Sequence, residues 1–193
     1  LLIVGEFGGA EEDATGQVFV GSGGKLLNSM LRTAGLQREL LFVTNVFMER
    51  PLNNDFRRFF ITRKEAKTAG YESRYQAFGA TGFLRPEYEP EIERLRAEII
   101  SSGATVVVAL GPIALWALTG ETKISQSRGV VLPCRLVPGK KVVATYHPSY
   151  ILKNFSDRPI VIADLIKAKA EIEFPEIRRP IRSIWVADKV RDL

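Results

Sequence analysis

Four short apolar runs, separated by segments with helical periodicity, constrain the fold of this chain more than any other feature. The runs cover residues 1–4, 40–46, 105–110 and 141–145, and each is rich in β-branched residues and bounded by glycine or polar residues. Runs of this kind are typical of strands that are buried on both faces of a parallel sheet. We therefore predict an α/β protein, a three-layer α/β/α fold around a central four-stranded parallel sheet.

The segments between the runs carry apolar residues at the spacing of a helix. We predict a helix that ends before Gly35 and further helices over 90–102, 113–118 and 160–172, with Pro112 and Gly120 flanking the third. The residues expected to face the sheet in three of these helices are Leu26, Leu27, Met30 and Leu31; Ile92, Leu95, Ile99 and Ile100; and Ile162, Leu165, Ile166 and Ala170.

Polar residues stand where three of the predicted strands end. Glu6 follows the first run, Asn45 lies in the second, and His147 follows the fourth. Ligands of parallel sheets bind outside the carboxyl ends of the strands, so we expect these side chains to converge on one rim. His147 precedes Pro148 and Ser149, which places it at the start of a helix, a position suited to stabilising an anion.

A glycine-rich stretch over residues 21–25 invites interpretation as a nucleotide phosphate loop. The spacing does not fit, because a Walker loop requires glycine where Phe19 stands. The glycines are better suited to letting backbone amides approach a ligand or a DNA phosphate at the start of the following helix.

Composition narrows the classes of function. One cysteine and one histidine leave no Cys/His set for zinc and no internal disulfide, although a carboxylate-bound Mg²⁺ stays formally possible. Without an apolar run of membrane-spanning length, we expect an intracellular, cytoplasmic protein. The net charge of +5 favours a polyanionic partner, and most of the excess lies in residues 53–85.

Four segments together carry a resemblance to a known family. In order they are GEFGGAEEDATGQVFVGSGGKLL, VTNVFMERP, VVALG and TYHPSYILKN, and the match around them runs from about Leu1 to Ile172. This combination resembles the uracil-DNA glycosylase superfamily, nearest the family-4 type. The resemblance implies the same α/β fold and the removal of uracil from DNA.

The resemblance implies roles for individual residues. Glu6 matches the acid that contacts the flipped base, and Glu12 and Asp13 match an acidic pair near the attacking water. Glu12 is the expected water-orienting group, with Glu6 or Asp13 as alternates. Asn45 matches the residue that reads the amide edge of uracil, and His147 the one that stabilises the departing uracil anion at O2. In the substrate pocket Phe19 matches the stacking aromatic and Phe7 lies beside it.

Further residues are expected to contact DNA. These are the glycine-rich stretch Gly21, Ser22, Gly23, Gly24 and Lys25; Ser149, Tyr150 and Lys153 in and before the loop that enters the duplex; and Arg57 and Arg58 in the basic segment.

The chain also departs from the family pattern. The resemblance implies four cysteines around an iron–sulfur cluster, yet Glu49 and Leu84 occupy two of those positions and the other pair would precede Leu1. We therefore expect no cofactor and no metal. Gly8 replaces a proline and Phe7 is bulky for its position, so the base pocket is expected to differ. No histidine follows the second strand, which excludes a covalent histidine mechanism if the resemblance holds.

Two segments extend beyond the family pattern. Residues 51–88 form a long basic and aromatic insertion, expected either to stack on single-stranded bases or to build a small aromatic core of its own. Residues 174–193 follow the domain over 1–173 and contain a strand-like run at 183–187. We interpret this tail either as packing back on the domain or as a linker to a polymerase or exonuclease, as in phage replication proteins.

The sequence leaves several functions open. The leading hypothesis is a monomeric uracil-DNA glycosylase that flips uracil out of single-stranded or duplex DNA. The alternatives are a glycosylase-fold module that binds DNA without turnover, a glycosylase for a 5-substituted uracil, and an enzyme acting on free nucleosides.

Overall fold

The computed structural model describes residues 1–174, 176 and 177. Its strands are β1 (Leu2–Phe7), β2 (Phe42–Phe47), β3 (Phe60–Ile61), β4 (Phe83–Leu84), β5 (Val106–Leu110), β6 (Val131–Pro133) and β7 (Lys141–Thr145). The α-helices are α1 (Ala10–Thr15), α2 (Ser22–Thr33), α3 (Arg63–Thr68), α4 (Glu89–Ser101), α5 (Pro112–Thr119), α6 (Ile124–Ser127), α7 (Pro148–Lys153) and α8 (Arg158–Ala170). The predicted strand 183–187 and most of the predicted linker lie outside the described residues.

The main sheet has the strand order β2-β1-β5-β7-β6. The four predicted strands pair in parallel, and β6 joins the edge antiparallel to β7. The predicted α/β/α architecture is therefore confirmed, with a fifth strand that the sequence did not indicate. β6 has only three residues and ends at Pro133, which has no N–H to donate, so it carries too weak a pattern to be recognised.

Helices cover both faces of the sheet and bury two apolar cores. On one face α4, α5 and the insertion pack together, with Ile92, Leu95 and Ile113 among the buried residues. On the other face α2, α7 and α8 bury Leu27, Ile151 and Leu165. Because the sheet is enclosed on both sides, its carboxyl-terminal edge is where a cavity with polar walls can open.

Three of the residues that we predicted to face the sheet are exposed instead. Ile100 is 56% exposed, Ile166 is 50% exposed, and Ala170 is exposed as well. In α8 the buried positions are Val161, Asp164, Leu165 and Ala168, of which Leu165 was predicted. Asp164 can occupy an inward position because Arg128 and Thr145 satisfy its carboxylate, at 2.8 Å and 2.7 Å. A pattern based on apolar residues alone misses such a position.

The insertion folds around an aromatic core rather than presenting its rings to DNA. Phe59, Phe60 and Phe78 are buried. The Phe59 ring stacks on Phe47 of β2 with centroids 3.9 Å apart, and Phe60 meets Trp116 of α5 edge-on at 5.2 Å. These buried rings are not free to stack on bases, so the stacking alternative is wrong for them. The insertion is a packed extension of the domain.

Within the described part of the chain, no helix has both the length and the apolar character needed to cross a membrane.

Candidate active site

A cavity of about 510 Å³ opens at the carboxyl-terminal edge of the sheet. Its walls come from the end of β1, the segment through α1 to the start of α2, the buried end of β2, and the turn that leads into α7. Twelve of the predicted site residues line it: Glu6, Phe7, Glu12, Phe19, Gly21, Ser22, Gly23, Gly24, Asn45, His147, Ser149 and Lys153. Asp13, Lys25, Tyr150, Arg57 and Arg58 lie outside the cavity wall.

Asn45 presents an unpaired acceptor at the base of this cavity. The residue is buried in β2, and its Oδ1 has no hydrogen-bond partner among the described residues. Gly5 lies directly across from it in β1. A side chain at position 5 would overlap both Asn45 Oδ1 and the Phe19 ring, so glycine is required there for the two residues to share the cavity.

Phe19 forms an aromatic wall beside Asn45 and His147. Its ring centroid lies 5.8 Å from that of His147, with 36° between the two planes. The residue is buried, and its backbone has a φ of 58°, which is uncommon for a residue with a side chain. The left-handed backbone places the ring beside Gly5.

His147 is the N-terminal cap of α7. Its Nδ1 accepts a hydrogen bond from the Ser149 backbone N–H at 3.2 Å and lies 2.7 Å from Ser149 Oγ. Since Nδ1 is the acceptor, the neutral ring carries its proton on Nε2, which is buried without a partner among the described residues. Burial lowers the pKa of His147 to about 4, against a smaller opposing effect of the Glu12 charge. At neutral pH the ring is therefore an uncharged donor.

Glu6 belongs to β1, and its side chain reaches the start of α5. Its Oε1 accepts a hydrogen bond from the Ile113 backbone N–H at 3.1 Å. Burial raises the pKa of Glu6 to about 7, although this hydrogen bond acts in the opposite direction. The carboxyl group packs against Gly111, which has a φ of 89° and no room for a side chain beside Glu6 and His147. Glu6 therefore places a titratable oxygen near the imidazole.

Glu12 and Asp13, expected to act as a pair, are in different settings. Glu12 Oε1 accepts from the N–H groups of Val20 and Gly21, at 2.9 Å and 2.8 Å, and Oε2 accepts from Gly9 N–H at 3.1 Å. Burial alone would raise the pKa of Glu12, but these backbone donors outweigh it and hold the pKa below its usual value. Asp13 is exposed on α1. The structure does not bring the two carboxylates together at one point.

Phe7, the bulky departure from the family pattern, turns toward the insertion. Its ring lies 5.9 Å from that of Phe59, and the residue is half-buried at the cavity wall. Gly8 is buried next to Glu12. The aromatic core of the insertion therefore supports one side of the cavity, and Phe7 does not close it.

Arg50 and Asn54 are among the cavity residues that were not predicted as site residues. Arg50 directly precedes the insertion and Asn54 lies near its start, and Arg50 Nε donates to Asn54 Oδ1 at 3.0 Å. Asn53 and Asn54 both have positive φ values, 58° and 55°. Asparagine tolerates this conformation better than most residues, so the Asn53-Asn54 pair was the available signal for a tight turn back toward the cavity.

The residues present do not fit the iron–sulfur cluster that the family resemblance implied. Leu84 is fully buried in β4 and has a hydrocarbon side chain, so it provides no iron ligand. Cys134 is buried, with its Sγ accepting from Val137 N–H at 3.4 Å. Among the described residues, no group of three or more histidine, cysteine, aspartate or glutamate side chains is placed to hold a metal ion.

The fold and the cavity define a class of protein that comparison with known sequences identifies. A sequence model of the uracil DNA glycosylase superfamily matches residues 1–169, and the chain belongs to this superfamily.

Two similar curated proteins bear the same name. A protein of Thermotoga maritima named type-4 uracil-DNA glycosylase is 35% identical over 175 residues, which is 90% of this chain and 78% of that protein. A protein of the same name from Archaeoglobus fulgidus is 32% identical over 158 residues, 79% of this chain and 66% of the relative. The expected relationship, nearest the family-4 type, is confirmed.

Proposed function

We propose that this chain is a uracil-DNA glycosylase that hydrolyses the N-glycosidic bond of uracil in DNA during DNA repair. The relatives of high coverage bear that name. The observation that supports the proposal for this cavity is a pair of buried polar atoms beside the Phe19 ring, Asn45 Oδ1 and His147 Nε2, which have no hydrogen-bond partner in the described part of the chain. An acceptor, a donor and an aromatic surface together suit a planar base with polar edges.

Asn45 provides the means of selecting uracil. Uracil N3 carries a hydrogen and donates, so it pairs with the unpartnered Oδ1. Cytosine has an acceptor at N3, which would face the same oxygen and leave both atoms without a hydrogen bond. Because a buried unpaired polar group is costly, the site discriminates strongly between the two bases.

His147 stabilises the leaving group. As the bond between C1′ and N1 breaks, its electron pair passes to uracil and charge accumulates on O2. The Nε2–H of the neutral ring donates a hydrogen bond to that oxygen. Because the pKa of His147 is lowered to about 4, the ring is already neutral at pH 7 and donates this hydrogen bond without a prior change of protonation state.

Glu6 is the carboxylate best placed to assist water. One of its oxygens is held by Ile113 N–H, and the other is free of hydrogen bonds to the described residues. In its ionised form Glu6 accepts a proton from the attacking water and offsets the positive charge of the oxocarbenium-like sugar. Glu12 is engaged by three backbone N–H groups, so we assign it to holding the loop rather than to orienting water.

The base reaches the cavity by leaving the DNA stack. Unstacking costs a few kcal/mol and is least costly for a single-stranded or mispaired base. Leu152, which lines the cavity and is 48% exposed, and Tyr150, two residues before it and 40% exposed, are suited to filling the space that the base leaves. Lys153, Ser149 and the amides of the glycine-rich turn are suited to phosphate contacts.

Release of free uracil from a single-stranded oligonucleotide tests this function. Wild-type protein in excess is expected to leave abasic sites. His147→Ala is expected to slow the reaction about 100-fold or more, since it removes the donor to the leaving group. Asn45→Asp is expected to weaken the preference for uracil over cytosine.

A failure of the wild-type protein to produce abasic sites would contradict the enzymatic proposal. If the same protein then bound uracil-containing and thymine-containing strands without cleaving either, it would be a DNA-binding module with the glycosylase fold. The cytoplasmic location, the monomeric state and a fused polymerase or exonuclease remain predictions from the sequence.

A further inference from the structure

The backbone of Phe19 is in an unfavourable conformation for its residue type. Among the described residues, only three that are not glycine have positive φ, and the other two are Asn53 and Asn54. Asparagine enters this region readily, whereas a bulky aromatic residue does so at a cost. Strained residues of this kind persist where surrounding contacts hold them, and they concentrate at functional sites. The contacts on either side of Phe19 therefore need an explanation.

Two charged side chains hold the chain immediately before and after Phe19. On the following side, Glu12 Oε1 accepts from the N–H groups of Val20 and Gly21, at 2.9 Å and 2.8 Å. On the preceding side, Arg38 Nη2 donates to the Val18 carbonyl oxygen at 3.1 Å. Because these bonds fix the peptide groups on both sides, rotation of Phe19 out of its left-handed conformation would break at least one of them.

Arg38 makes this contact in an environment that is poor for a cation. Its side chain is half-buried, and Nη1 is buried without a partner among the described residues. Burial lowers the pKa of its guanidinium, and only the neighbouring Glu39 charge acts in the opposite direction. An apolar residue at position 38 together with glycine at position 19 would avoid both the partly desolvated cation and the strained backbone. Stability alone therefore does not account for this arrangement.

We propose that Arg38 is a positioning residue for uracil excision, which holds the Phe19 ring against the flipped base through its hydrogen bond to the Val18 carbonyl. Arg38 lies outside the cavity wall and touches neither base nor DNA backbone in this scheme. It acts on the reaction only through the orientation of Phe19 beside Asn45 and His147. The inference rests on the proposed glycosylase function, since it assigns Arg38 a part in that reaction.

The first experiment compares single-turnover uracil release by Arg38→Met, Arg38→Lys and a matched control, Arg32→Met. Arg32 is an exposed cation in the last turn of α2, with no side-chain hydrogen bond or ion pair to the described residues. With enzyme saturating, we expect Arg38→Met to slow release about tenfold or more, because the base is held in the wrong orientation. Arg38→Lys is expected to recover part of the rate, and Arg32→Met to stay within about twofold of wild type.

The affinity for the oligonucleotide separates positioning from general damage. Since Arg38 does not contact DNA in this scheme, the dissociation constant is expected to stay within about twofold in all three variants. A double-mutant cycle then tests the route of action. In a Phe19→Leu background, Arg38→Met is expected to cause little further loss of rate, because the ring that it positions is gone.

A readout that does not depend on bond cleavage completes the test. 2-Aminopurine placed next to uracil brightens when its neighbour leaves the stack, and a strand with thymine in place of uracil serves as the reference. We expect the increase on protein binding to be smaller for Arg38→Met than for wild type and for Arg32→Met.

Three outcomes would overturn the inference. They are an unchanged rate in Arg38→Met, the same factor of loss in the presence and absence of the Phe19 ring, and an unchanged 2-aminopurine signal. If Arg38→Met lowers the melting temperature too far for assay, the same comparisons are made with Arg38→Lys. An inactive wild-type protein would instead contradict the glycosylase function itself, and the fluorescence comparison would still decide whether Arg38 positions Phe19.

Discussion

At the scale of single residues, the pKa values of two titratable groups in the cavity, His147 and Glu6, are shifted in opposite directions. Burial lowers the pKa of His147 to about 4 and raises the pKa of Glu6 to about 7. Between pH 5 and pH 9 the imidazole therefore keeps one protonation state, while Glu6 changes from neutral to ionised. Burial disfavours the charged form of both groups, which accounts for the opposite directions.

This difference predicts a pH profile for uracil release. The reaction needs ionised Glu6, so the single-turnover rate is expected to rise with pH, to be half-maximal near pH 7 and to level off above about pH 8. Glu6→Gln is expected to be slower by about 100-fold and to lose this rise. Glu121→Gln, at an exposed position after α5, serves as the control. A wild-type rate that is flat from pH 6 to pH 8 would contradict the role of Glu6.

At the scale of elements, the insertion and the base cavity share one aromatic cluster. Phe59 lies at its centre, with its ring 3.9 Å from Phe47, 4.9 Å from Tyr88 and 5.9 Å from Phe7 between ring centroids. Phe47 belongs to β2, and Phe7 lines the cavity. The insertion is thus coupled to the sheet and to the site through ring contacts rather than through its basic surface.

Phe59→Ala tests this coupling. Removal of a fully buried ring is expected to cost about 3–5 kcal/mol in the free energy of unfolding, measured by urea denaturation. The rate of uracil release is expected to fall as well, since Phe7 loses its support. Phe42→Ala, which removes a ring that is 44% exposed on the edge strand β2, should cost less than about 1 kcal/mol and leave the rate intact. Equal losses in the two variants would argue against a central role for Phe59.

At the scale of the whole molecule, the net charge of +5 is placed unevenly, and the insertion contributes much of the excess. Arg57 is paired with Asp55 at 2.7 Å, whereas the guanidinium of Arg58 makes no ion pair with the described residues. Arg58 is exposed and follows Asn54, which lines the cavity, by four positions. We therefore expect this exposed cation, which has no ion pair to the described residues, to lie close to the path of the DNA strand.

Salt dependence measures the part that Arg58 plays. Each phosphate neutralised on single-stranded DNA contributes about 0.7 to the slope of log affinity against log salt concentration. Arg58→Ala is expected to lower that slope by about this amount. Arg32→Ala changes the net charge equally but lies at the end of α2 that is remote from the cavity, so it should change the slope little. Equal slopes for the two variants would indicate that only the net charge matters.

The sequence by itself determined the layers of the fold and the identity of most cavity residues. Buried β-branched runs separated by helical stripes are local patterns, and they fix a parallel sheet whose carboxyl ends bring Glu6, Asn45 and His147 together. The motifs of the glycine-rich segment and of the segment around His147 are local as well, so the family resemblance could be recognised before the fold was known.

Only the tertiary structure decided how these residues are arranged. The separation of Glu12 from Asp13, the burial of the insertion's rings and the turn of Phe7 toward Phe59 depend on contacts between residues far apart in the chain. The left-handed backbone of Phe19 and the hydrogen bond from Arg38 to the Val18 carbonyl, twenty residues away, leave no local pattern in the sequence. Hydrogen bonding and burial set the pKa values and the tautomer of His147, and both are properties of the folded arrangement.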